Sequence, residues 1–245
     1  MDMLTQLIVA FALSAVLSAV AYKLRMLTYT GALASFFVGY VVGLFGSFEW
    51  LILLIVFTAA GLIATQLDLG NKIGSGLQEG EHGERSAKNV LGVGLPPCIV
   101  AILYGVLHGT LDGQYDLELT IAFVSTLTVA AADTLASEIG VKDKKVWLIT
   151  TFERVRRGTN GGVSVLGTVA AVVASAITAI FGWFIIFGTL DIYVVVPIFM
   201  GILGSVLDSV FGATLENRGL ISKYVNNGAT ALIGGLIGFV IVLFM

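Results

Sequence analysis

Carboxylate side chains fall near the ends of two long apolar segments of this chain. Asp133 lies in AADTLASEIG, Glu138 follows it in the same segment, and Asp208 lies in GSVLDSVFG. Insertion of a charged side chain into the membrane costs about 3 kcal/mol, and such a side chain usually faces a cavity or a partner. Mg²⁺ is commonly held by one or two carboxylates together with phosphate oxygens. The pattern predicts a magnesium site of Asp133, Glu138 and Asp208, and the alternative is structural ion pairing with nearby cations.

A basic run followed by a glycine-rich turn comes after the first of these segments. Arg156 and Arg157 precede the tetrapeptide Thr159-Asn160-Gly161-Gly162. Arginine offers paired donors to phosphate oxygens, and the free N–H groups at a helix start attract anions. Glycine lets the backbone approach a ligand closely. The run predicts a phosphate site at a helix start, and Lys88 and Asn89 are further candidates for binding the same phosphates. The alternative is an ordinary basic loop and helix cap.

Other catalytic motifs are missing from the sequence. It contains no H-E-x-x-H, Walker lysine loop or G-x-S-x-G. His82 and His108 are isolated, and we interpret them as a solvated loop residue and an outer interfacial residue. The single cysteine, Cys98, lies in an apolar run and is expected to pack. Phosphoryl transfer needs little more than a metal and fixed cations that neutralise the charge between two phosphate groups.

The elements that must position these residues are membrane-spanning helices. The chain has 245 residues, of which 57% are hydrophobic and 12% charged, a composition typical of polytopic membrane proteins. A spanning helix needs roughly 20 mostly apolar residues. Eight segments qualify or nearly qualify, and they predict an all-α bundle in a single integral membrane domain, 1–245. The segments are 3–22, 28–46, 49–67, 89–108, 118–140, 163–187, 193–215 and 227–245.

The distribution of cations predicts how the bundle is oriented. With both termini outside, the inner loops are 23–27, 68–88, 141–162 and 216–226, and they contain all 13 Lys and Arg residues. Cytoplasmic loops of membrane proteins carry such an excess of cations. The polar residues of interest then fall at the cytoplasmic face. This placement favours an enzyme with a cytosolic cosubstrate over a transporter, whose polar groups would cross the midplane.

Three motifs together resemble one integral membrane family. They are A-D-T-L-A-S-E-I-G, R-R-G-T-N-G-G-V-S-V-L-G-T and G-S-V-L-D-S-V-F-G-A-T-L-E, and E-R-S-A-K-N-V-L-G in the first large inner loop is similar to a fourth. The family includes plant phytyl-phosphate kinase, and its acidic motifs are distantly similar to those of dolichol kinase and phosphatidate cytidylyltransferase. One departure is Val93, where family members often have Asn.

The resemblance implies a function and a set of site residues. The function is a nucleotide-dependent kinase, with CTP as first choice, that converts a polyprenyl monophosphate such as phytyl or geranylgeranyl phosphate to the diphosphate. By motif the site residues are Asp133, Ser137, Glu138, Thr159, Asn160, Gly161, Ser164, Asp208 and Ser209.

These expectations together describe an integral enzyme of the cytoplasmic membrane that uses Mg²⁺ and acts on its inner face. The lipid tail of the substrate is expected to lie between helices, and no nucleic acid is expected as a partner. Alternatives are a transferase that forms a CDP-linked lipid and a small-molecule or ion transporter. The sequence leaves open whether the chain forms a homodimer and whether 68–88 is a lid or a linker.

Overall fold

Long helices account for nearly all of the regular structure. The computed structural model describes residues 3–66 and 83–245, so His82 and most of the 68–88 segment lie outside the described residues. The helices are α1 (Met3–Lys23), α2 (Tyr29–Phe45), α3 (Phe48–Gln66), α4 (Ala87–Thr110), α5 (Asp116–Gly140), α6 (Val165–Phe187), α7 (Val195–Phe211) and α8 (Lys223–Leu243).

These helices confirm the predicted polytopic bundle. Seven helical stretches of the described residues are long and apolar enough to cross a membrane, and Tyr29–Phe45 is a shorter apolar helix of 17 residues. Two short antiparallel strands, β1 (Trp147–Leu148) and β2 (Gly162–Val163), lie between α5 and α6. A 3-10 turn, Ile192–Val194, precedes α7, and a π-helical turn, Gly212–Glu216, follows it.

The chain divides into two compact units, Met1–Leu119 and Thr120–Met245. In the first unit, small residues let α2 pack closely on its neighbours. A Cβ added at Gly39 would meet Ser14 Oγ at 2.6 Å, and one at Gly43 would meet the Ala10 side chain at 2.7 Å. Van der Waals packing through such residues drives helix association in membranes. The prediction of a single domain stays a prediction.

A largely apolar cavity of about 260 Å³ lies within the first unit. It is lined by side chains of α1, α2, α3 and the start of α4, with Arg85 and Asn89 among them. Cys98 is buried and its Sγ donates to the Val38 carbonyl at 3.7 Å, as a packed thiol would.

Helix α5 is the buried centre of the second unit. The residues from Thr120 to Ala132 are buried without a break. Glycines of α7 and α8 approach it closely, because Cβ atoms at Gly204 and Gly234 would meet Val129 Cγ2 at 2.5 and 2.6 Å. This packing fixes where the ends of α5 and α7 and the start of α8 are placed in the second unit, and with them the acidic residues.

The predicted helix starts need correction at two sites. Thr159–Gly162 does not open α6, because Gly161 has a φ of +75°, which a right-handed helix cannot contain, and the helix begins at Val165 after the N-cap Ser164. Helix α8 begins earlier than predicted, at Lys223 after the N-cap Ser222. The Thr159–Gly162 turn is therefore part of a folded loop and does not provide the N–H groups of a helix end.

Candidate active site

The carboxyl groups of Asp133 and Asp208 meet although they come from different helices. Asp133 is on the last turns of α5 and Asp208 on the last turn of α7, and their side chains are within hydrogen-bonding range of each other. Glu216, in the π-helical turn, is near enough to interact electrostatically with both. The second unit thus brings together two acids that are 75 positions apart in the sequence.

Two consecutive asparagines near the start of α8 contact this pair. Asn227 Nδ2 donates to Asp133 Oδ2 at 3.0 Å. Asn226 Nδ2 donates to the Asp208 carbonyl at 3.0 Å and to Glu216 Oε1 at 2.8 Å. Asn226 is fully buried. The start of α8 therefore joins the ends of α5 and α7.

The glycine-rich turn lies against the end of α7. A Cβ at Gly161 would meet the Ser209 carbonyl at 2.6 Å and the Ala213 N at 2.5 Å, so the two backbones are in direct contact. Asn217 Nδ2 donates to the Asn160 carbonyl at 3.2 Å and holds the turn from the other side. The turn and the motif containing Asp208 and Ser209 are thus adjacent, as the prediction of a common site requires.

The basic run before this turn is exposed to solvent. Arg156 and Arg157 are both exposed, and Arg157 Nη1 donates to the Val141 carbonyl at 3.4 Å. The Thr159 hydroxyl donates to the Arg156 carbonyl at 2.7 Å, and Gly162 N donates to the Thr159 carbonyl at 2.9 Å. Thr159 therefore shapes the turn, and the arginine side chains extend where a soluble ligand can reach them.

Glu138 does not share the face of Asp133. It follows Asp133 by five positions on one α-helix, which rotates it about 140° away. Ser137, four positions after Asp133, projects from nearly the same face of α5 as Asp133 does. Its hydroxyl donates to the Asp133 carbonyl at 2.8 Å. Across residues 3–66 and 83–245, no group of three or more His, Cys, Asp or Glu side chains is arranged to hold a metal ion.

Ser164 is a helix cap. Its Oγ accepts from Gly167 N at 3.1 Å, and the side chain is buried against Gly140. Asp143 supports the same helix start by accepting from Leu166 N at 3.4 Å. The pKa of Asp143 is lowered, chiefly by the backbone N–H of Lys145 and also by that of Leu166. The motif implies that Ser164 binds a ligand, but the same hydroxyl already caps α6.

Lys88 and Asn89 lie in the first compact unit. Lys88 is exposed on the first turn of α4. Asn89 Oδ1 accepts from the Ser86 backbone N at 2.9 Å and from Ser86 Oγ at 2.8 Å, so Asn89 works as part of a capping box. His108, expected at the outer interface, has its Nδ1 2.9 Å from the Asp116 carboxylate.

Sequence reasoning did not include four residues of the acidic cluster among the site residues. They are Glu216, Lys223, Asn226 and Asn227. The sequence N-N-G-A is similar to T-N-G-G, which is a signal for the last two, although NNGA lies inside α8 and TNGG in a loop. Lys223 opens α8 and acts electrostatically on Asp208 and Glu216.

The chemistry of this cluster fits a divalent cation. Asp208 Oδ1 is buried and has no hydrogen-bond partner among the described residues. A buried carboxylate oxygen without a partner is costly, and two facing carboxylates repel each other unless a cation or a proton lies between them. Mg²⁺ needs only one or two carboxylates when phosphate oxygens and waters complete its shell. Asp133 and Asp208 are therefore the residues that would hold it.

The fold and this cluster define a class of protein, namely a polytopic membrane protein with paired carboxylates where two of its helices end. Residues 12–239 match the family described as integral membrane protein DUF92. The chain belongs to this family, which confirms the resemblance deduced from the motifs.

Relatives come from archaea and plants. An uncharacterized membrane protein of Methanocaldococcus jannaschii, MJ0933, is 34% identical over 242 residues, which cover 98% of this chain and 96% of the relative. Protein PGR of Arabidopsis thaliana is 30% identical over 89% of this chain and 81% of its own. Protein VTE6, chloroplastic, of the same plant is 28% identical over 89% of this chain and 65% of its own length. No solved structure matches the chain.

Proposed function

We propose that this protein is a membrane kinase that transfers the γ-phosphoryl group of CTP to a polyprenyl monophosphate, such as phytyl or geranylgeranyl phosphate. The observation that carries the proposal is the meeting of Asp133 and Asp208 beside the Asn160–Gly161 turn. The similarity to VTE6 and the family resemblance support a prenyl-phosphate enzyme as the class. The choice of CTP as donor rests on the family resemblance.

The transfer needs little covalent chemistry from the protein. An oxygen of the lipid phosphate attacks the γ-phosphorus of the nucleotide, the bond to the β-phosphate bridging oxygen breaks, and CDP leaves with that oxygen. The acceptor is already ionised, so no strong general base is required. Bound Mg²⁺ would neutralise the charge that develops between the two phosphate groups.

The residues of this chain divide the remaining work. Asp133 and Asp208 would provide the carboxylate oxygens that hold the cation. Arg156 and Arg157 are exposed and provide donors for nucleotide phosphates. The Asn160–Gly161 turn packs against the end of α7 and so places the basic run beside the acids, and Lys223 adds a positive charge there. The proposed setting is the inner face of the cytoplasmic membrane, where CTP is available.

The proposal predicts that Asp133→Asn abolishes transfer. Purified wild-type protein should move label from the γ-phosphate of CTP to geranylgeranyl phosphate in the presence of Mg²⁺. Because the amide no longer offers an anionic oxygen to the cation, the rate should fall by at least about 10²-fold. The matched control is Asp116→Asn, which changes an acid at the opposite end of the same helix and should leave the rate unchanged.

The same assay separates the alternatives. A transferase that forms a CDP-linked lipid would put the α-phosphate of CTP into lipid and release pyrophosphate instead of CDP. A transporter would give no nucleotide-dependent product and would move solute into liposomes without CTP. Unchanged transfer by Asp133→Asn would remove this carboxylate from the mechanism.

A further inference from the structure

The start of α8 provides a hydrogen-bonded connection between the two acid-bearing helices, which the proposed chemistry has not used. We infer that Asn226 and Asn227 are positioning residues that set how the Asp133 and Asp208 carboxyl groups face each other. This inference rests on the proposed function, because it assigns a role to the geometry of the same site. It concerns the asparagine side chains themselves, which need not touch substrate.

Asn227 controls the orientation of one carboxylate. Its Nδ2 donates to Asp133 Oδ2 at 3.0 Å, and the same side chain lies within hydrogen-bonding range of Asp208. Loss of this donor removes one of the contacts that fix the last torsion of the carboxylate, which is broad and shallow for aspartate. A metal ligand that is oriented by a second hydrogen bond binds more tightly, and loss of such a partner typically costs 10- to 100-fold in metal affinity.

Asn226 fixes the segment that carries the other carboxylate. The two hydrogens of its Nδ2 have two acceptors, the Asp208 carbonyl at 3.0 Å and Glu216 Oε1 at 2.8 Å. The first acceptor precedes the π-helical turn Gly212–Glu216 and the second belongs to its last residue, and π-helical turns occur frequently at functional sites. Asn226 therefore holds the turn at both ends.

Two observations indicate a ligand at this point instead of simple packing. Asn226 is fully buried, yet its Oδ1 has no hydrogen-bond partner among the described residues, and the same is true of Asp208 Oδ1. Buried polar atoms are normally satisfied, so such atoms need an explanation. A hydrated cation between the carboxylates would provide it.

Binding of Mn²⁺ to the full-length protein in detergent, measured by electron paramagnetic resonance, tests the inference without any turnover. Asn227→Leu removes the donor at nearly constant volume and should raise the dissociation constant for Mn²⁺ by about 10-fold or more. Asn227→Gln keeps an amide donor and should bind nearer to wild type than Asn227→Leu does. The matched control is Gln114→Leu, which removes an exposed amide that contacts Tyr115 and should not change binding.

A transfer assay provides a second measurement, which distinguishes a positioning role of Asn227 from a purely structural one. In Asn227→Leu the Mg²⁺ concentration for half-maximal rate should rise while the rate at saturating Mg²⁺ stays near that of wild type. Thermal unfolding of each variant monitors folding. If neither Asn227→Leu nor Asn227→Gln folds, Asn227 is a structural residue and the inference is wrong.

The outcomes distinguish this inference from the function on which it rests. If wild-type protein does not bind Mn²⁺, the metal site of the proposed kinase is wrong and the positioning role is lost with it. If wild-type protein binds Mn²⁺ and Asn227→Leu binds it equally well, the positioning role alone is wrong.

Discussion

At the scale of single residues, glycine at position 161 decides whether the basic loop can reach the acids. Gly161 has a φ of +75° and stands against the backbone of Ser209 and Ala213. A side chain there would be strained by its conformation and would also collide with the end of α7. Loop and helix can meet here because one residue has no Cβ.

We therefore predict that Gly161→Ala destabilises the second unit by about 3 kcal/mol. About 1 kcal/mol comes from the left-handed conformation, and the rest from overpacking against α7. Gly219→Ala is the matched control, because Gly219 has a φ of +69° and nothing within 4 Å of an added Cβ. It should lose only about 1 kcal/mol. The measurement is thermal unfolding in detergent, and equal losses in the two variants would contradict the contact with α7.

The rate of tryptic cleavage at Arg156 and Arg157 gives an independent check on the same pair of variants. Both arginines are already exposed, but the docked loop restricts their backbone. Displacement of the loop from α7 should therefore make cleavage faster in Gly161→Ala than in Gly219→Ala. Proteolysis follows the population of locally open states, so the ratio of rates measures the loss of loop docking.

At the scale of elements, the start of α6 shows how a motif residue can have a structural role. Ser164 accepts from Gly167 N and is packed against Gly140, so its hydroxyl is already used within the protein. Sequence similarity alone assigns Ser164 to the ligand site, because the sequence does not distinguish an N-cap serine from a phosphate-binding serine. Contacts from α5 to the first turn of α6 favour the cap.

We predict that Ser164→Ala lowers the free energy of unfolding by about 1 kcal/mol, the usual cost of losing an N-cap. Ser164→Asp should keep most of the stability, because aspartate is as good a cap as serine and its charge favours a helix N-terminus. Thermal unfolding of both variants is the measurement. If Ser164 instead binds phosphate, the aspartate variant should bind CTP more weakly through repulsion while Ser164→Ala retains full stability.

At the scale of the whole molecule, every Lys and Arg falls in the predicted inner loops. The eight helices expected from the sequence are present in the described residues, and Asp133 and Asp208 belong to one compact unit. The direction in which the bundle lies in the membrane remains a prediction from charge alone. It is accessible to experiment because the chain has a single cysteine, Cys98, which is buried.

We predict that Lys144→Cys is labelled from the cytoplasm and Leu190→Cys from the opposite side. Both positions are exposed, and they lie in a predicted inner loop and a predicted outer loop. The measurement is labelling of intact cells and inverted vesicles with a membrane-impermeant maleimide, in a Cys98→Ala background. Labelling of both cysteines from one side would contradict the predicted topology.

The sequence by itself determined the membrane fold, because apolar segments near 20 residues in length leave the backbone no alternative to helices in a bilayer. It also predicted Asp133 and Asp208 as site residues, since a charged side chain within a membrane-spanning helix has few explanations. It could not determine that Glu216 approaches the two aspartates, or that Thr159–Gly162 is a loop. Those outcomes depend on a π-helical turn and on a glycine-to-backbone contact between distant segments. The roles of Asn226 and Asn227 likewise appeared only when packing of α8 on α5 and α7 brought their amides to the acids, because hydrogen bonds over 18 and 94 positions leave no local pattern.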